Sequence, residues 1–263
     1  MIQALEIRLE TQDGTRLHPA MGSLLHGFLM ENLDGGYCEV LHRQALRPYS
    51  QYLYFDKERQ AFFWRITTLT REAKEQILEA AMNLPDTILI RRKDLQLKVA
   101  DRTLLPATSY ELLAERYFTL PLPGNIVRLA FITPCGFKSN GEYVIFPQPH
   151  LVFASLVNRW NAFSPKERLD GPDIAQDLAR EVYVAGYHMS LKPFSVDGAR
   201  IPAFIGSYAL GMKSNLMSNR IIAMLCDFAS YSGIGIKTAL GMGAVTCSFM
   251  AKGGKALPKP SSQ

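Results

Sequence analysis

The chain has 263 residues, 48% of them hydrophobic and 20% charged, a globular composition that excludes disorder and has room for one large domain or two ordinary ones. Lys and Arg number 29 against 24 Asp and Glu, a net charge of +5, and this mild basic excess fits nucleic acid as well as many cytosolic enzymes. No run approaches about 18 apolar residues and "MIQALEIRLE" is charged by residue 6, so neither a membrane span nor a signal peptide is expected.

Residues 4–10 alternate, with Leu5, Ile7 and Leu9 against Glu6, Arg8 and Glu10, which predicts a half-buried strand. "MGSLLHGFLMENL" carries apolar residues at 21, 24, 25, 28 and 29, a helical stripe. "SQYLYF" and "QAFFWRITTL" read as strands joined by the charged turn "DKER". "TREAKEQILEAAMNL" is a second helix opened by Thr70, and "DTILIRRKDLQLKVA" holds one or two strands. The order is β-α-β-β-α-β, the ferredoxin-like unit.

"LPLPGN" at 120–125 is a linker, with Pro121, Pro123 and Gly124 in six residues. Beyond it the same order returns: strand "IVRLAFIT", helix "PHLVFASLVNRWNAF", strands "REVYVAGYHMSLKPF" and "IPAFIGSYALGM", helix "SNLMSNRIIAMLCDFASYSG" ending at Gly233, and strand "GAVTCSFMA". The expected fold is α+β, two tandem ferredoxin-like domains at 1–119 and 124–252, a glycine-rich loop near the C-terminus, and a flexible tail at 253–263.

That loop, "YSGIGIKTALGMGAV", sets Gly233, Gly235, Gly241 and Gly243 around Lys237. It is no P-loop, because Ile236 precedes the Lys, and no dinucleotide fingerprint, because Thr238 stands at the third glycine position. A tight helix-to-strand connection and an anion-binding loop both remain open.

The chemistry-bearing residues are few. Cys38, Cys135, Cys226 and Cys247 lack C-x-x-C pairing and read as reduced thiols of a cytoplasmic protein. The five histidines form no metal-ligand cluster, no G-x-S-x-G elbow occurs, and no D-x-D pair offers two-metal chemistry, so no metal or cofactor is expected. At about 100° per residue, His26 lies about 120° from the centre of its helix's apolar stripe, on the flank. His42, in "VLHRQALRPYSQYLYF", reads as a loop residue before a strand, with Arg43 and Arg47 behind it; phosphate contact and an ordinary loop histidine are equal alternatives. Two histidines and a cation satisfy what RNA transphosphorylation needs. One group takes the 2′ proton, another protonates the 5′ oxygen, and the cation stabilises the phosphorane.

Three stretches, "LLHGFLMENL", "YCEVLHRQALRPYSQYLYF" and "GIGIKTALGMGAV", together resemble the CRISPR-associated repeat-processing endoribonucleases of the RAMP superfamily. The resemblance implies metal-independent cleavage of precursor CRISPR transcripts within each repeat. It implies repeat RNA as partner, leaves room for other subunits of an interference complex, and leaves monomer and homodimer open. It implies His42 as a catalytic group, with Arg47 where related enzymes often carry Lys. Met30 stands where some members have a helix Tyr, and His26, one turn earlier, substitutes for it. The loop residues Gly233, Gly235, Lys237, Thr238, Gly241 and Gly243 are implied as RNA contacts.

Three rivals stand beside this: a non-catalytic RAMP subunit holding guide RNA, an RRM-like single-strand binder, and a small-molecule enzyme on the same scaffold. Phe62, Phe63 and Trp64 match no RNP1 pattern and are expected in the core, and "RRK" at 91–93 reads as a solvated face.

Overall fold

A computed structural model describes residues 1–11, 14–196, 198–250 and 256–257. The alternation at the N-terminus becomes β1 (Gln3–Thr11), with Leu5, Ile7 and Leu9 in the core. Glu6, on the opposite face, is also buried, and it accepts hydrogen bonds from Tyr54 Oη at 2.5 Å and Arg59 Nη1 at 3.1 Å. Buried polar atoms need such partners.

A short 3-10 turn leads into α1 (Gly22–Glu31). α2 (Gly35–Arg43) follows, capped by Asp34, whose carboxylate accepts from the Tyr37 amide at 3.1 Å. His42 is therefore not a loop residue, as the sequence suggests, but stands on the last turn of a helix. Tyr37 and Leu41, four apart and both buried, hold that helix to the core, and the Gly35-Gly36 pair masks its start.

β2 (Tyr49–Asp56) and β3 (Ala61–Thr68) form the expected hairpin, its turn tied by Asp56 Oδ1 accepting from the Glu58 and Arg59 amides. Trp64 is fully buried and Phe63 nearly so, as expected of core residues. Thr70 caps α3, a continuous helix of Arg71–Ala73, a π segment Lys74–Leu78, and Glu79–Met82. β4 (Thr87–Ile90) and β5 (Leu95–Leu104) are separated by the turn Arg91–Lys93, where Asp94 adopts φ 46°. This first sheet is antiparallel, in the order β2-β3-β1-β5-β4.

α4 (Tyr110–Thr119) precedes the linker, but its buried face of Tyr110, Leu113 and Tyr117 packs into the core of the second half. That half contains β6 (Ile126–Cys135), a small hairpin of β7 (Phe137–Ser139) and β8 (Glu142–Val144), α5 (Pro149–Phe163) and α6 (Ile174–Arg180). β9 (Val182–Leu191), a second hairpin of β10 (Phe194–Val196) and β11 (Ala199–Ile201), β12 (Phe204–Met212), α7 (Leu216–Ser232) and β13 (Val245–Met250) complete it. The two-residue β14 (Ala256–Leu257) pairs with β13; the rest of the tail lies outside the described residues.

The second sheet runs β14-β13-β6-β12-β9. In each half the first strand is central, flanked by the third and last strands of the β-α-β-β-α-β order. One core lies beneath each sheet, and a small third cluster (Phe194, Val196, Ile201, Ala203, Met242) joins the second hairpin to the glycine loop. Among the described residues no helix is long and apolar enough to cross a membrane.

Candidate active site

α7 ends where the sequence places its stop, at Gly233, and the chain turns back towards β13 through the loop. Gly233, Gly235, Gly241 and Gly243 all have positive φ, and so does Lys237 at 54°. At two of them the missing side chain is used by the fold itself. A Cβ on Gly243 would lie 1.9 Å from the Ile234 carbonyl oxygen, and one on Gly235 would lie 2.3 Å from that of Gly136. The loop is closed by the Ile234 amide donating to Gly243 O at 2.9 Å and the Gly243 amide donating to Pro134 O at 2.9 Å.

Close backbone packing then brings the first half against the loop. A Cβ on Gly22, at the start of α1, would come within 3.3 Å of the Gly241 Cα. Beside this contact, buried Gln51 donates from Nε2 to Gly22 O at 2.8 Å and Ala239 O at 3.0 Å, and accepts from Trp64 Nε1 at 2.8 Å. One turn along α1 from Gly22, His26 is thereby held at the loop's edge.

His26 is half-buried. Its Nδ1 lies 3.0 Å from the hydroxyl of Tyr49, and the two rings stack at 6.2 Å between centroids. Burial pushes the Tyr49 phenol far up from its ordinary value, partly offset by Arg47, so the hydroxyl stays protonated.

His26 lines a cavity of about 510 Å³ between the halves. Ala45, Leu46 and Arg47 of the α2–β2 connection line it too, with Lys138 and Tyr143 of the first hairpin, Arg159 of α5, and residues 235–240 of the loop. Arg47, Lys138, Arg159 and Lys237 make four cationic side chains on this wall, and among the described residues no Asp or Glu lines it. Arg47 donates to the carbonyl of Gln44, which shapes the connection.

Of the residues singled out from the sequence, His26, Arg47, Gly235, Lys237 and Thr238 come together here. His42, exposed on α2, is outside the lining, as are Gly233, Gly241 and Gly243. Tyr49, Lys138, Tyr143 and Arg159 are site residues that sequence reasoning missed. Only Arg159 left a signal, a cation inside the apolar stripe of "PHLVFASLVNRWNAF". Among the described residues no group of three or more His, Cys, Asp and Glu is placed to hold a metal ion.

The family model of the CRISPR-associated endoribonuclease Cas6 matches residues 129–245, from β6 through the glycine loop. Over 241 residues the chain is 33% identical to a CRISPR-associated endoribonuclease Cas6 of Mycobacterium tuberculosis, covering 91% of this chain and 76% of that protein. The chain belongs to the Cas6 family. A Streptococcus thermophilus Cas6 is 32% identical over 239 residues, covering 87% of this chain and 92% of its own. The resemblance carried by the three stretches thus holds at the level of the Cas6 family.

Solved structures agree in fold. A Cas6 product complex superposes with a TM-score of 0.76 at 24% identity, covering 94% of this chain and 100% of that one. A Thermus thermophilus Cas6 gives a TM-score of 0.72 at 22% identity, covering 94% and 98%. What is shared with these Cas6 structures is the α+β architecture with two antiparallel sheets.

Proposed function

We propose that the protein cleaves CRISPR precursor transcripts within their repeats and so yields mature crRNAs for an interference complex. One observation carries this reading: His26 opens on a cavity with four cationic side chains and, among the described residues, no carboxylate, a setting for a phosphodiester beside a proton-transfer group. Two tandem ferredoxin-like units, within 1–119 and 124–252 and with α4 of the first stretch packed into the second core, act together, with the scissile phosphate seated where they meet.

The nucleophile is the RNA's own 2′-hydroxyl, whose tethering beside phosphorus replaces an activated water. The 2′-oxygen bonds to phosphorus as its proton passes to a base. The bond to the 5′-oxygen breaks as that oxygen takes a proton from an acid. The products are a 2′,3′-cyclic phosphate and a 5′-hydroxyl, and the atoms balance without a cofactor.

His26 and His42 form the acid–base pair. His26 works from the cavity wall, where Tyr49 engages Nδ1 and leaves proton exchange to Nε2. His42 works from the last turn of α2, just before the cavity-lining segment 45–47. Arg47 and Lys237 offset the charge on the phosphorane, and the loop glycines and Thr238 hold Lys237 in place.

The test is incubation of the protein with repeat RNA in EDTA. Cleavage is expected, and His26→Ala and His42→Ala should each slow it by about 10²–10⁴-fold while repeat binding is kept. An RNA with hydrogen in place of the 2′-hydroxyl at the cut should stay whole. Cutting of that RNA, or strict need for added Mg²⁺, overturns the mechanism. Full activity of His42→Ala removes His42 from the site and leaves the reaction class. A second reading, a non-catalytic subunit that holds crRNA, is favoured by the position of His42 outside the cavity lining. Repeat binding with no cleavage decides for it.

A further inference from the structure

Arg159 lies on α5 between Leu156 and Trp160, on the face that packs into the second core, and is only 4% exposed. Nη2 donates to the carbonyl of Gly235 at 2.9 Å, while Nε is buried with no hydrogen-bond partner among the described residues. Among the described residues no carboxylate pairs with it. Its electrostatic neighbour is the Cys135 thiol, which burial pushes up and keeps neutral. Burial draws the guanidinium pKa down to about 10, so it is still a cation at neutral pH.

A buried charge without a counter-charge is costly, and replacing it with an apolar side chain of similar volume is often neutral or stabilising. Arg159 is also not sealed in the core: it lines the same cavity as Arg47, Lys138 and Lys237. The bond to Gly235 O ties its planar fork to the loop that carries Lys237. A guanidinium can give two parallel hydrogen bonds to one oxyanion, and beyond the bond to Gly235 O this one keeps further N–H groups for such a contact.

We infer that Arg159 is an anion receptor in the cavity wall, binding a phosphate-class oxyanion through the guanidinium N–H groups that Gly235 does not occupy. The natural anion is the RNA phosphodiester or the 2′,3′-cyclic phosphate left by cleavage, and that identity alone rests on the function proposed above. Binding neutralises the buried charge and holds Gly235 and Lys237 in one arrangement around the phosphate.

The experiment is thermal unfolding of the full chain and of Arg159→Met at matched ionic strength, with inorganic phosphate or 2′,3′-cyclic CMP added. At about ten times Kd an anion raises the folded-to-unfolded ratio of the wild type about tenfold, a rise of about 2–3 °C in midpoint. Arg159→Met should show no response to either anion, and its anion-free midpoint should equal or exceed the wild type's. A response to both anions marks a general oxyanion site, and a response to the cyclic nucleotide alone marks a product site. Equal responses in wild type and variant overturn the receptor, as does a lower anion-free midpoint with the response intact. Should Arg159→Met fail to fold, Arg159→Lys, a charge without the fork, is expected to respond more weakly; a full response again overturns the inference. A wild type that ignores both anions yet cuts repeat RNA removes the receptor and keeps the proposed reaction. The expected anion responses without any cleavage do the reverse.

Discussion

Tyr49 is fully buried, yet its hydroxyl meets His26 Nδ1 at 3.0 Å, so a core side chain reaches out to set the orientation of a half-exposed one. Tyr49→Phe keeps the packing and removes that bond, worth about 0.5–1.5 kcal/mol. Single-turnover cleavage of repeat RNA should fall about 2- to 12-fold with the unfolding midpoint little changed; an unaltered rate separates Tyr49 from the site. Just before α1, His18 Nδ1 accepts from the Ala20 amide at 3.2 Å, which requires the neutral ring. Partial desolvation lowers its pKa from 6.5, and Lys192 and Lys93 add like charge, with Arg16, Arg92 and Asp94 around the same cavity. The folded chain therefore binds this proton less readily than the unfolded one. The contribution to stability is complete above about pH 6.5 and is lost as pH falls below it. His18→Asn keeps a capping acceptor without titrating, so its midpoint should drop less than the wild type's between about pH 7.5 and 5.5. The effect is small, because the ring is solvent-exposed and screened.

Among the elements, the loop and α1 show two glycines of opposite meaning. Gly243 has φ 67° and its Cβ position is occupied by the Ile234 carbonyl, which the closing hydrogen bonds hold in place. Gly243→Ala should destabilise by at least the roughly 1–2 kcal/mol of the left-handed backbone, and by more once the carbonyl is displaced. Gly27, inside α1, has open space where a methyl group would stand, with no described atom within 4 Å apart from its chain neighbours and its own helix backbone, so Gly27→Ala should stabilise by about 0.5–1 kcal/mol. Denaturant titration of the two variants reads both signs. If Gly243→Ala matches the wild type, the loop is not held as described. α2 and α4 are the elements least legible in the sequence. The first is nine residues opened by two glycines, and the second buries only one residue per turn, in a core made by distant strands.

Across the whole molecule, basic residues outnumber acidic ones in three cavities that share lining residues and draw on both halves. A second cavity of about 310 Å³ shares His26 and Leu240 with the first and adds Arg91 and Arg92 against a single carboxylate, Glu31. A third, of about 770 Å³, shares Ser23, Leu24 and Arg92 with the second and adds Arg16, His18 and Lys93 against Asp94. The "RRK" turn, expected from sequence to be a solvated face, is indeed exposed, and it borders these cavities. Repeat binding should accordingly weaken steeply with salt. Lys237→Ala should reduce the slope of log K against log salt by about 0.7 for a single-stranded contact, whereas Lys166→Ala, away from these cavities, should leave it alone. Equal slopes for wild type and Lys237→Ala would take the loop lysine out of the interface.

The sequence by itself determined the β-α-β-β-α-β order underlying both halves, though not α2, α4, α6 or the two small hairpins. With it came the caps at Thr70 and Gly233, the core placement of Trp64, and the family likeness, because these depend on neighbours a few residues apart. It also singled out His26, Arg47 and Lys237, though not that they face one another. That was decided by tertiary structure: residues 22 and 241, and 51 and 239, meet only because α1 and β2 of the first half pack against the loop of the second and two glycines let backbone touch backbone. The same packing buried Arg159 and brought Tyr49 under His26. It also left His42 on a helix outside the cavity wall, since a histidine's reach is set by where its helix docks and not by the letters beside it.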